Sequence, residues 1–136
     1  MENLSIYGTL IVLAHATVVF WHLQLLARLN STLTLEHALL FASLANLVPM
    51  TALILFWTHF RKIGGWLLLI FLAIPLTIGG YEHFLSSGAD NVFRMAPGEG
   101  ALAFRISAIL LVILEALGCW VSVRIIGGSE RLNAKA

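Results

Sequence analysis

Residues Leu4 to Leu29, LSIYGTLIVLAHATVVFWHLQLLARL, run without an acid or a lysine. At a rise of about 1.5 Å per residue, one helix of this length crosses the roughly 30 Å hydrocarbon layer of a bilayer. Its only charge is Arg28, near the end. No Lys or Arg precedes the run, it is long for a signal peptide, and no small-x-small cleavage site follows, so it reads as a retained span. Two histidines, His15 and His22, lie inside it. They are two helical turns apart and share one face. An imidazole in lipid leaves a hydrogen-bonding group unsatisfied unless a neighbour meets it. The remaining helices are therefore expected to bring polar partners to that face.

The other apolar stretches extend this picture. The chain has 136 residues, of which 60% are hydrophobic and 11% charged; a soluble domain carries about 25% charged residues. One small core cannot bury that much apolar surface, so the lipid bilayer is the expected partner. A net charge of +1 and the lack of a basic run argue against nucleic acid. Cys119 is alone, which excludes an intrachain disulfide and suits a small packing residue.

Spans are expected at about 4–28, 34–60, 65–85 and 100–126, with a long loop at 86–99. Thr32 or Thr34 can cap the second helix, and Pro49 should kink it. Arg61-Lys62-Ile63-Gly64-Gly65 reads as a basic turn, and Gly127-Gly128 as the stop of the last helix. The fold class is all-α: a single domain, 1–136, forming an up-down-up-down antiparallel four-helix bundle. Arg61, Lys62, Arg124, Arg131 and Lys135 fall on one side, against Arg28, Arg94 and Arg105 on the other. That bias puts both termini in the cytoplasm and the loop outside, as in a bacterial inner membrane or its equivalent.

The faces of the helices place two polar layers. On the last helix Ala101, Arg105, Ala108, Val112, Glu115, Cys119 and Ser122 follow spacings of four and three, a small and polar face among Leu, Ile and Val. On the second, Ala38, Ala42, Ala45, Pro49 and Ala52 form a similar face, flanked by His37 and Asn46. Helical rise puts His15 and Glu115 each about 16 Å from the inner ends of their helices, in one layer near the midplane with Asn46. A second layer near the outer surface holds His22, Glu36, His37, Glu82 and His83.

A carboxyl group at mid-bilayer points to a proton-handling role. An intramembrane enzyme on a lipophilic small molecule, isomerase- or hydratase-like, would use His15 as base and Glu115 as acid, with Asn46 beside them. Structural use of the same groups would be a hydrogen bond that fixes helix register. The outer layer suggests a transition metal (zinc, copper or iron), held by His22, His37 and His83 with Glu36 or Glu82. It also suggests non-covalent haem b between His22 (or His15) and His83, since no C-x-x-C-H motif is present. Ordinary interfacial residues touching water are the plain alternative. Gly79-Gly80 could leave space for a macrocycle, although close helix packing or a loosened helix end explains such a pair more simply. A transport role would need a homo-oligomer, because four spans are few for a pathway. The loop reads as a solvated connection, or as a lid over the outer layer.

Overall fold

The computed structural model describes residues 2–29, 35–88, 90–95 and 97–133. Four helices account for most of them: α1 (Glu2–Leu29), α2 (Leu35–Phe56), α3 (Arg61–Phe84) and α4 (Ala101–Asn133). Each helix packs on its neighbours in the chain, and α4 closes the ring by packing on α1. Among the described residues the diagonal pairs α1–α3 and α2–α4 do not bring their backbones comparably close, and α1 and α3 meet through the His22 and His83 rings. Among the described residues three helices are long and apolar enough to cross a membrane: Asn3–Leu29, Arg61–Phe84 and Ala101–Gly128. Within α2 the segment Ala45–Phe56 is apolar as well. Large aliphatic side chains such as Leu10, Ile54, Ile70, Ile78, Leu102 and Ile113 point outward. Such a surface suits lipid rather than water.

Several helix ends differ from those expected from sequence. The second helix stops at Phe56, four residues early, because the chain tightens there. Trp57 N–H donates to the Ile54 carbonyl and Thr58 N–H to the Leu55 carbonyl, both three residues back. The Thr58 hydroxyl then accepts from Phe60 N–H, which starts the turn. Arg61 and Lys62 are consequently the first residues of α3 rather than part of a turn. Exposed His59 stacks on Phe60, as an interfacial residue would. Gly127 and Gly128 do not stop α4, which continues to Asn133. A glycine stop needs a left-handed residue, and among the described glycines only Gly100 has one, at φ 85°. Gly100 instead opens α4, its carbonyl accepting from Phe104 N–H. Pro49 and Pro75 both sit within continuous helix.

Two packed clusters bracket the middle of the molecule. One holds Val12, Ala52, Phe56, Leu68, Leu72, Val121 and Ile125. Glycines bring the backbones together there. A Cβ on Gly64 would lie 2.8 Å from the Ala52 carbonyl oxygen and 2.9 Å from Leu55 Cβ. Leu72 occupies the space beside Gly118 that a side chain would need. The other cluster joins Val92, Phe104 and Ala108 to Leu25, Leu26, Phe84 and Met95.

The connection after α3 belongs to this second cluster, so it is not a merely solvated loop. Buried Asn91 donates to the Ser86 carbonyl at 2.7 Å and accepts from Phe93 N–H at 2.9 Å. Val92 N–H donates to the His83 carbonyl, and Arg105 Nη2 donates to the Met95 carbonyl.

Close packing at Gly64 involves backbone that cannot yield. Gly64→Ala should lower stability by about 1–3 kcal/mol. Gly80 has no atom within 4 Å of a Cβ position, so Gly80→Ala should cost nothing. Thermal unfolding of both variants in one detergent checks the contrast.

Candidate functional site

Between the two clusters lies a cavity of about 650 Å³. The order of residues along each helix puts it there. On α1 the sequence runs from Val12 in one cluster, through His15, Val19 and His22 on the cavity, to Leu25 in the other. Helix α3 contributes Phe71, Ile74, Pro75, Ile78, Gly79 and His83; α4 contributes Leu111, Val112 and Glu115; α2 contributes Ala45. The walls are apolar except for three imidazoles and one carboxyl group. Cavities of about 300–1,000 Å³ with this lining are typical of small-molecule sites.

His15 and Glu115 form the deeper polar pole. Both are buried, at 2% and 5% exposure. His15 Nε2 stands 3.6 Å from Glu115 Oε1, beyond hydrogen-bonding distance. Neither ring nitrogen of His15 has a hydrogen-bond partner. A buried imidazole in this state loses its hydration without gaining a hydrogen bond in return, a cost of about 1–3 kcal/mol per unmet group. A bound molecule or a water in the cavity would meet it.

His22 and His83 form the other pole. Their rings touch edge to face, with centroids 5.0 Å apart. Phe104 packs against both. One tautomer is assigned by the hydrogen bonds. The Asp90 carbonyl can only accept, so His83 Nδ1 carries a proton and, in the neutral ring, its Nε2 is left with a lone pair. Ser107 Oγ stands 2.8 Å from both the Phe104 carbonyl and His22 Nδ1 and has one proton for the two. When the carbonyl takes it, His22 Nδ1 is the donor and its Nε2 in turn has the lone pair.

The remaining sequence candidates separate from this group. Glu36 and Glu82 are exposed. The side chain of His37 lies outside the described residues. Asn46 is half-buried beside cavity-lining Ala45. Among the described residues no three His, Cys, Asp or Glu side chains assemble as a metal-ligand group. The edge-to-face contact of His22 and His83 leaves no room for a macrocycle between those rings as they stand.

The expected face of α4 is inward, but centred slightly aside. Ala108 and Ser122 are fully buried, and so are Phe104, Ser107 and Val121. Ser107 was not among the sequence candidates. Its signal was available: Ser107, Leu111 and Glu115 repeat at four residues and share a face. Gly79-Gly80 makes no close helix contact either. A Cβ on Gly79 would meet nothing nearer than His83 Cδ2 at 3.9 Å. Gly79 lines the cavity, and neither glycine draws helices together.

Searches against protein-family models, curated proteins and solved structures found no match for this chain.

Nitrogen NMR of histidine-labelled protein should show Nδ1-protonated neutral rings for both His22 and His83. Ser107→Ala should release His22 from that form and leave His83 unchanged. An Nε2-protonated His22 in the unsubstituted protein would mean that Ser107 gives its proton to that ring instead.

Proposed function

We propose that this chain is an integral membrane protein that holds a lipophilic small molecule within the bilayer and exchanges a proton with it through His15 and Glu115. The observation that carries this reading is the buried His15 imidazole. It lines an apolar cavity large enough for such a molecule, faces a carboxyl group at 3.6 Å, and has no partner on either nitrogen. In this reading the helices run up and down in turn, both termini are cytoplasmic, and the loop after α3 lies outside. That orientation rests on the five-to-three bias of basic residues.

The chemistry follows from the two groups. His15 takes a proton from the bound molecule, and Glu115 returns one to a second position on it, as isomerisation requires; proton transfer from His15 to Glu115 then restores both groups. Hydration would instead have His15 deprotonate a water admitted to the cavity while Glu115 protonates the lipophile. Asn46 belongs to the same layer and supports it from α2.

Organic extraction of protein purified from its own membranes, followed by mass spectrometry, tests the reading. A lipophile near one per chain should accompany the protein. Gly79→Leu, which fills the cavity, should lose it. Glu115→Gln should keep the lipophile but slow deuterium exchange from solvent into it by about 10²–10⁴-fold. Identical extracts from the unsubstituted and Gly79→Leu proteins would defeat the proposal.

A transition metal at His22 and His83 is a second reading, favoured by one observation. His83 spends its Nδ1 proton on the Asp90 carbonyl and His22 Nδ1 is hydrogen-bonded to Ser107, so both rings are held through Nδ1, the usual arrangement for imidazoles that ligate through Nε2. A bound metal there would act as a Lewis acid toward a molecule in the cavity. Haem b would require the two rings to separate first. Elemental analysis and an absorption spectrum decide this. Stoichiometric zinc, copper or iron that is lost in His22→Phe/His83→Phe supports the metal; no metal and no Soret band removes both cofactors.

A further inference from the structure

We infer that the cavity is shaped for a lipophilic para-dihydroxy aromatic, a hydroquinone-type ring, bound with one hydroxyl at each polar pole. This rests on the cavity reading above and specifies its ligand. Three observations combine.

The first is the sign of the outer pole. His83 gives its Nδ1 proton to the Asp90 carbonyl, and we take His22 to give its own to Ser107 Oγ, whose proton then goes to the Phe104 carbonyl. What they present on their other edge is lone pairs. A ligand group there must donate a hydrogen bond. A hydroxyl does so; a ketone, ester or quinone carbonyl does not.

The second is the deeper pole. His15 has one donor and one acceptor nitrogen in its neutral form, both unpartnered, with Glu115 beyond it. Its acceptor nitrogen can take a hydroxyl's hydrogen bond, or its proton. A second hydroxyl suits this pole equally.

The third is the span. His15 and His22 are seven residues apart on one face of α1, about 10.5 Å along the helix axis. The oxygens of a para-dihydroxy ring lie about 5.5 Å apart, and a hydrogen bond of about 2.8 Å at each end extends the reach to about 11 Å. Ortho-placed hydroxyls are too close together to reach both poles. Val19 lies between the two histidines on α1, with Ile78 and Leu111 across the cavity. These apolar side chains suit the flat, apolar middle of such a ring, and the rest of the 650 Å³ takes part of an alkyl or prenyl tail.

Equilibrium binding to the protein in lipid nanodiscs, with four probes of equal tail length, tests the inference. Decylhydroquinone should bind most tightly. Decylbenzoquinone, which cannot donate to His22, should bind about tenfold more weakly, and decylcatechol, which cannot span the poles, by a similar factor. Decylbenzene should bind weakest of all. His22→Phe/His83→Phe, which removes both acceptors of the outer pole, should erase the preference for hydroquinone over quinone. The quinone comparison needs no substitution, so a folding defect in that variant does not obscure the result. Equal affinity for all four probes, with binding lost in Gly79→Leu, would overturn the hydroquinone inference and leave the cavity reading standing. Failure of every probe to bind in a Gly79-dependent manner would remove both.

Discussion

The structure depends on close backbone contact at one end of the bundle. In lipid, helices gain nothing from hiding apolar side chains against each other, because the surrounding tails are equally apolar. Association comes from packing, and packing is tightest where nothing separates the backbones. Gly64 sits against the Ala52 carbonyl, and Gly118 receives Leu72. These contacts fix α2 on α3 and α3 on α4. With that end locked, the helices can part further along without the assembly falling open. The folded connection after α3 closes the other end through Val92 and Phe104. A cavity bounded by two packed plugs is the outcome.

Within that cavity the polar groups differ in how completely the protein satisfies them. His22 and His83 are anchored on one edge and open on the other. His15 has no hydrogen bond on either ring nitrogen among the described residues and faces the Glu115 carboxyl, 3.6 Å from its Nε2.

Much of this arrangement was legible in the sequence, for a simple reason. Helical rise fixes depth, so His15 and Glu115 could be matched in level before any packing was known, and likewise His22 and His83. Helical rotation was equally informative at Glu82-His83. Neighbours differ by about 100°, and His83 turns to the cavity while Glu82 turns outward. Illegible were features set by tertiary contact or by single hydroxyls. Ser107 was passed over because Ala108, one residue on, fits a small-residue stripe better. The early end of α2 depends on the Thr58 hydroxyl capturing Phe60 N–H, which composition does not announce. Gly127-Gly128 looked like a stop, but glycine ends a helix only where the chain turns left-handed, and there it does not. The loop's polar residues suggested water, whereas Asn91 spends its side chain on the loop's own backbone.

The bond from His83 to Asp90 reaches a backbone carbonyl, not the aspartate side chain. Replacing Asp90 therefore leaves the acceptor in place. What holds that carbonyl in position is the path of the loop, set by Asn91 through Ser86 and Phe93. Residue 91, which does not line the cavity, thus helps set the hydrogen bond of a ring that does, and the rim of the cavity is tuned from a loop side chain one step removed from it.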